Sequence, residues 1–361
     1  MNILLDISHP AHVHLFKNTY WKLVEKGHNV YVTVKDIQSA KKLLQKYGIK
    51  YIDLGIKKDT IVGKAIRQLA YNIHVYRLIK RYKIEIGVSS SITLSQISKF
   101  TKLKSIVLDD DDDHVEPLFV RFGHPFSDII LTPDSISRKS KNSLYYAGTH
   151  EMAYLHPNYF SPEPDILKEV GLHQDDKYFV LRFVAMKGHH DIGHKGITVD
   201  QKRKLIDVIK PNGKIFITSE NEIESDLEEY RIPISPEKIH SFLYYSSMFI
   251  GDSQTMTSEA ALLGVPALKC NSFSGVLSVP NELENKYELC YSYTPDKFDD
   301  LIAKIVELLK RDNIKQEWQL KKDNFINDKI DVTKFLVWFI EKYPESMIEF
   351  KKNPNIQYQF K

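Results

Sequence analysis

Four stretches of this 361-residue chain concentrate residue types that move protons or hold anions, and each follows an apolar run. Behind Ile3-Leu-Leu5 comes Ser8-His-Pro-Ala-His-Val-His14, with His9, His12 and His14 at the start of a helical pattern. Imidazoles there can donate to an anion beside free backbone N–H groups, or exchange a proton near neutral pH. Their spacing lacks the fourth ligand that a structural zinc site wants, and helix capping and packing is the bland alternative. Leu108-Asp-Asp-Asp-Asp-Asp-His114 sets five carboxylates beside one histidine. Crowded carboxylates repel, which raises some of their pKa values unless donors compensate. Asp111 or Asp113 therefore suits a general base, with His114 as partner, while Asp109 and Asp111 as ligands of a divalent ion and a solvated acidic turn are the rival readings.

The third stretch, HHDIGHKG, follows a run that ends with Arg182 and Phe183. Gly188, Gly193 and Gly196 permit close backbone approach, and His189, His190, His194 and Lys195 add donors and charge. Together they suit a diphosphate at a helix start, held without a metal; a flexible polar loop is the alternative. The fourth stretch runs from Ile250 through Gly-Asp-Ser-Gln-Thr-Met-Thr-Ser-Glu to Gly264. Ser253 and Thr255 can cap the next helix, Gly264 ends it, and Glu259, one turn in, can accept two ribose hydroxyls.

The elements that must position these loops alternate. Val30–Val34, Tyr51–Leu54, Ile84–Ser89, Ser105–Leu108 and Asp128–Leu131 read as strands separated by helical patterns of about 10–15 residues, the signature of a parallel sheet covered on both faces. The stretch from His150 to Gly171, with three prolines and little strand pattern, reads as a linker. The rhythm restarts with Tyr178–Phe183, Lys214–Thr218, Met248–Ile250 and Pro266–Lys269, and long helices follow from about Phe298. The expected architecture is α/β: two Rossmann-like domains with parallel sheets facing an interdomain cleft, where open sheets of this kind bind ligands. Residues 1–155 form the first domain and 156–340 the second, with a C-terminal helix over 340–361 crossing back to the first.

Composition excludes several classes. With 42% apolar residues there is material for two cores, and 27% charged residues nearly cancel to +3, which gives no expectation of nucleic-acid binding. Cys270 and Cys290 fit no metal spacing or disulfide framework. Neither a signal peptide nor a membrane span of about 20 apolar residues is visible, so the expected setting is the cytoplasm, extending to the inner face of the membrane. The apolar segment Lys334–Tyr343 reads as a helix for packing.

The stretch GDSQTMTSEAALLGVPAL resembles the donor-binding signature of GT-B glycosyltransferases and of the related hydrolysing UDP-N-acetylglucosamine 2-epimerases. The combination of DISHPAHVH, the acidic-His element, HHDIGHKG and GDSQTMTSEAALLG resembles, over nearly the whole chain, a prokaryotic GT-B-like group catalogued as domain of unknown function 354. The resemblance implies that Ser253, Gln254 and Thr255 meet a diphosphate and that Glu259 holds the ribose, with Arg182, His189, His190, His194 and Lys195 on the same nucleotide. It implies a metal-independent glycosyltransferase without a dissociable cofactor, acting in cell-surface polysaccharide biosynthesis. The donor would be a nucleotide sugar, UDP-linked, and the acceptor a glycan, lipid-linked or small molecule. On this reading His12, His14, Asp111, Asp113 and His114 supply proton transfer in the acceptor domain. A nucleotide-sugar epimerase or hydrolase and a non-catalytic sugar-nucleotide binder are the alternatives.

Overall fold

Runs of Ile, Leu and Val too short for a helix and without a polar face are stable only as strands covered on both sides, and that is where they lie. In the computed structural model Ile106, Val107, Leu108, Ile129, Ile130 and Leu131 have no accessible surface. The structure describes residues 1–55, 61–138, 140–184, 196–219 and 223–361, with the backbone alone at 61–65.

The chain divides into two compact units, Met1–Tyr159 with Lys329–Lys361, and Phe160–Asp328. The first alternates β1 (Asn2–Ile7), α1 (Pro10–Glu25), β2 (Asn29–Val34), α2 (Gln38–Lys46), β3 (Ile52–Asp53), α3 (Ile61–Tyr82), β4 (Ile86–Ser89), α4 (Ile92–Ser98), β5 (Lys104–Leu108), α5 (Pro117–Phe122), β6 (Ile129–Pro133), β7 (Ser143–Tyr146) and α6 (Met152–Leu155). Its seven strands lie in the order β3-β2-β1-β4-β5-β6-β7, all parallel. The order reverses between β1 and β4, which opens a crevice at their carboxyl ends. Buried Asp6 pins that point: Oδ1 accepts from Thr33 of β2 at 2.8 Å and Oδ2 from Ser91, just past β4, at 2.6 Å.

The second unit holds α7 (Asp165–Glu169), β8 (Tyr178–Phe183), α8 (Val199–Ile209), β9 (Lys214–Ser219), α9 (Ile239–Tyr245), β10 (Met248–Gly251), α10 (Gln254–Leu262), β11 (Ala267–Cys270), α11 (Ser278–Asn285), β12 (Cys290–Tyr293), α12 (Phe298–Leu309) and α13 (Ile314–Asp328). Five parallel strands run β12-β11-β10-β8-β9, with the reversal between β8 and β10.

The chain then returns to the first unit at Lys329, ahead of α14 (Val332–Glu341) and α15 (Glu345–Lys352). The return begins before residue 340 because α14 is apolar on a wide face: Phe335, Leu336, Phe339 and Ile340 are fully buried. Buried Asp331 caps it, accepting from the Lys334 N–H at 2.9 Å, and Thr333 donates to the Ala153 carbonyl at 2.7 Å. The Gln357 side chain accepts from the Ala147 N–H at 2.6 Å. The Thr333 bond buttresses a segment that reads as the start of a linker, yet every residue from His150 to His156 is buried. The prolines that suggest a linker stand after it, where Pro157 and Asn158 are exposed.

Candidate active site

The acidic loop after β5 is built around one guanidinium. Arg138, whose side chain is fully buried, donates from Nη1 to Asp113 at 2.8 Å and lies 3.0 Å from Asp109. Its Nη2 reaches the carbonyls of Asp109 (2.8 Å) and Asp111 (2.7 Å), and Nε the Thr132 hydroxyl (3.0 Å). Four hydrogen bonds and the ion pair with Asp109 thus surround the guanidinium, which is how the repulsion among adjacent carboxylates is offset. Asp109 is closed off further by His124 Nε2 at 2.7 Å and by the Asp111 N–H at 3.1 Å.

Asp110 is the carboxylate turned the other way. Its Oδ2 lies 3.0 Å from Nδ1 of His150, which follows β7 by four residues. Burial pushes Asp110 up and His150 down, but their mutual attraction overrides both: Asp110 lies below its ordinary range and His150 above. The His150 Nε2, the Glu151 Oε2 and the Tyr146 hydroxyl are buried and have no hydrogen-bond partner among the described residues. Burial, then the charge of Asp110, raises Glu151 to about 7. His12 completes the group from the first turn of α1. Burial, with His9 and His150 nearby, lowers it to about 3 against the pull of Asp110, so its ring is neutral. The Ser8 N–H points at His12 Nδ1 from 3.4 Å, which leaves the proton on Nε2. One cluster at the carboxyl ends of β1, β5 and β7 therefore holds an ion pair, a carboxyl that titrates near neutrality and a neutral imidazole, the makings of an acid–base set.

Of the histidines and acids singled out in sequence that lie among the described residues, His12 alone joins this group. His14 is buried between Tyr47, whose hydroxyl is 3.2 Å from its Nδ1, and the ring of Tyr154. His9 caps α1, accepting from the Ala11 N–H at 3.2 Å. Asp111 and His114 are exposed, and Asp113 serves Arg138. The carboxylate oxygens of Asp109, Asp110 and Asp111 come within 4.8 Å of one another, close enough to share an ion. Asp109 and Asp110 are already engaged by Arg138, His124 and His150, which a cation would have to displace.

The second unit presents a different constellation at its own switch point. Gly251 is required there: a Cβ would stand 2.3 Å from the Arg182 carbonyl oxygen. Asp252 accepts from the Val184 and Ile197 N–H groups at 2.8 and 3.4 Å, while burial holds its carboxyl up at about 6. Ser253 caps α10, accepting from the Met256 N–H at 3.3 Å. Gln254 Oε1 accepts from Lys269 at 2.5 Å, and burial lowers that lysine to about 8. Thr255 is partly exposed in the first turn of α10. Glu259 is buried on α10 with Oε1 2.9 Å from His240 Nε2, and Arg182 Nη1 donates to Thr218 at 3.0 Å. His189, His190, His194 and Lys195 lie outside the described residues.

A family model described as "Protein of unknown function (DUF354)" matches residues 1–333. The chain belongs to that family. A relative of this chain in sequence is the uncharacterized protein MJ0665 of Methanocaldococcus jannaschii, 26% identical over 282 residues, 75% of this chain and 82% of that one. Among solved structures, S. aureus MnaA in complex with UDP matches with TM-score 0.68 and 12% identity over 96% of this chain and 97% of that chain. UDP-GlcNAc 2-epimerase from Neisseria meningitidis bound to UDP-GlcNAc matches with TM-score 0.65 and 12% identity, covering 95% and 100%. The spinosyn rhamnosyltransferase SpnG, complexed with spinosyn aglycone, matches with TM-score 0.60 and 12% identity, covering 94% and 99%. The DUF354 chain thus has the fold of GT-B glycosyltransferases and UDP-GlcNAc 2-epimerases.

In this DUF354 chain, sequence reasoning misses Asp110 as the paired acid, Arg138, His150, Glu151 and, in the second unit, His240. A signal for two of them exists: His150 and Glu151 stand a few residues behind the strand Ser143–Tyr146, as the other loops stand behind theirs. His240, on a helix remote in sequence from Glu259, carries no such signal.

Proposed function

We propose that this chain is a metal-independent glycosyltransferase that moves a sugar from a UDP-linked donor to a glycan, lipid-linked or small-molecule acceptor, in cell-surface polysaccharide biosynthesis. The observation that carries the reading is the Asp110–His150 pair, with the imidazole's far nitrogen buried and without a partner among the described residues. Asp110 orients His150 through Nδ1. Once His150 has lost its proton, Nε2 takes one from the attacking hydroxyl of the acceptor, and Asp110 stabilises the imidazolium that forms. Turnover accordingly rises with pH through the raised pKa of His150.

On the donor side, Ser253, Gln254 and Thr255 face the diphosphate at the start of α10, Glu259 the ribose, and Arg182 with His189, His190, His194 and Lys195 the leaving charge. This division draws support from the polar, capped helix start behind β10 and from the UDP and UDP-GlcNAc named with structures of the same fold. The engagement of Asp109 by Arg138 and His124 supports a reaction that survives chelation.

One observation favours a second reading. Glu151 near pH 7 and neutral His12 beside the pair are more than a single proton transfer needs. A 2-epimerase of nucleotide sugars would use them, one group taking a proton from a sugar carbon and another returning one to its opposite face; a hydrolase would use one to take a proton from water while the diphosphate leaves and another to protonate it. NMR of UDP-sugars with enzyme separates the two. Donor consumed only when acceptor is added supports transfer, whereas epimer or free sugar formed without acceptor replaces that reading by the second. A thermal-shift screen across nucleoside diphosphates tests both, since a ligand at about 100 times its Kd stabilises by about 2.7 kcal/mol.

A further inference from the structure

Helix α3 is apolar on two faces, and the fold uses one. Tyr71, Val75, Leu78 and Ile79 are buried against Leu4, Leu94 and Leu103 in the core of the first unit. On the outside, Ile66, Leu69, Ile73 and Tyr76 are 67, 61, 45 and 37% exposed at spacings of three, four and three residues, which aligns them in one stripe. A helix that is only a cover for a sheet puts charged or polar residues there. Asn72 bonds Gln96 of α4 at 2.8 Å, and past the end of α4 stands Phe100, 74% exposed.

Charge is as uneven as hydrophobicity. From Ile61 to Lys104 nine Lys and Arg residues stand against a single carboxylate, Glu85, in a chain whose net charge is +3. At the end of the stripe a cavity of about 440 Å³ has a floor that includes Ile79 and Ile84, with Lys80, Lys83, Lys102 and Lys104 around it. These four lysines make no ion pair among the described residues, and Lys80 lies over the Tyr76 ring at 5.7 Å, joining cavity to stripe. Glu85, also at the rim, accepts from the Asn2 N–H at 2.9 Å.

We propose that the outer face of α3, with Phe100 and the lysine-rimmed cavity, docks on an anionic phospholipid bilayer. The apolar stripe enters the headgroup boundary, and the lysines take lipid phosphates. Charge decides the occupant. A second copy of the chain would bring the same cations face to face across a symmetric interface, whereas an anionic lipid surface complements them. Among the described residues no helix is long and apolar enough to cross a membrane, so α3 would lie on the bilayer rather than span it.

Flotation of the full-length protein with vesicles tests this, using phosphatidylcholine alone and phosphatidylcholine mixed with phosphatidylglycerol. The protein should float with the mixed vesicles only, and less so as salt is raised. Lys80→Gln and Lys102→Gln should each weaken binding by about fivefold, the equivalent of one cation near the surface. Leu69→Glu with Ile73→Glu should abolish flotation while the melting temperature is kept. Failure of the wild type to float with anionic vesicles overturns the proposal, as does flotation unchanged in the stripe variant. A concentration-dependent dimer that the stripe variant splits would also overturn it and identify the face as a protein interface. Should the stripe variant not fold, the exposed lysine variants decide alone.

Discussion

At the carboxyl ends of β1, β5 and β7 the first unit gathers groups whose protonation is displaced in both directions: Asp110 down, His150 up, Glu151 to about 7, His12 to about 3. At the ends of β8 and β10 the second unit offers hydroxyls, amides and a helix start, with Glu259 tied to His240. Both sites occupy the switch point or strand ends of a parallel sheet, so topology does not distinguish them. The side chains do. Displaced and opposed pKa values suit groups that exchange protons, and a hydroxyl-rich helix start suits a group that is held. The proposed division of labour, chemistry on the first unit and nucleotide on the second, makes variants in the two units fail in different ways.

The largest effect should come from the Asp110–His150 pair. Asp110→Asn and His150→Gln should each reduce single-turnover rates by about 10²–10⁴-fold, the usual contribution of a positioned base, with nucleotide affinity by calorimetry nearly unchanged. Asp111→Asn, one residue along and exposed, is the sharpening control and should alter the rate little. A rate that falls with Asp111→Asn and survives Asp110→Asn would reassign the base. Nucleotide affinity lost with His150→Gln would break the division itself.

That the control and the target are neighbours shows where sequence legibility ends. Strand runs buried on both faces were readable because burial removes every polar position from them, as in Ile106–Leu108. The two strands that reading passes over, Ser143–Tyr146 and Cys290–Tyr293, are both sheet edges, where exposed and half-buried positions interrupt the apolar run. Missing the first of them turns His150 and Glu151 into linker. Among five consecutive aspartates, composition is blind to which carboxylate faces which way. Arg138, some 25 residues downstream, takes Asp109 and Asp113, and only its position singles out Asp110. The Ser253 cap and the place of Glu259 on the helix behind it were legible for the opposite reason, because both are local in sequence.

The next effect is on stability, and its sign follows from Glu151. Its folded pKa, about 7, lies above the ordinary 4.5, so the folded state holds this proton more tightly than the unfolded chain. The stabilisation is complete below the unfolded value and is lost as pH rises through the folded one. Relative to Glu151→Gln, which does not titrate, the wild type should therefore lose stability between about pH 4.5 and pH 8. The loss approaches, on the order of, 3 kcal/mol at about 1.4 kcal/mol per pKa unit. Denaturant midpoints of both proteins across that range measure it. Parallel curves would mean that Glu151 is not held in a raised state, and would remove the main support for the epimerase reading.

In the second unit the corresponding test concerns holding alone. Glu259→Ala should weaken binding of nucleoside diphosphates by about 1–3 kcal/mol whatever the sugar, because ribose hydroxyls then lose an acceptor on burial. The same change leaves His240 without its 2.9 Å partner, so some stability will go with it. Calorimetry at a temperature where the variant is folded separates the two losses. Normal nucleotide affinity in Glu259→Ala would place the donor elsewhere.

The smallest effect, at Ser253, separates a structural from a ligand-binding role within one side chain. Its oxygen caps α10 by accepting from the Met256 N–H. Ser253→Ala should cost about 1 kcal/mol of stability through the lost cap, and Ser253→Asp should keep that stability, since Asp caps as well as Ser. If the start of α10 also faces a diphosphate, the Asp variant sets a negative charge against the phosphates. It should then bind UDP more weakly than the Ala variant, although it is the more stable protein. Chemical denaturation gives the first ranking and calorimetry the second. Opposite rankings assign Ser253 to both helix and nucleotide, whereas equal UDP affinities in the two variants would leave it a cap and move the diphosphate away from α10.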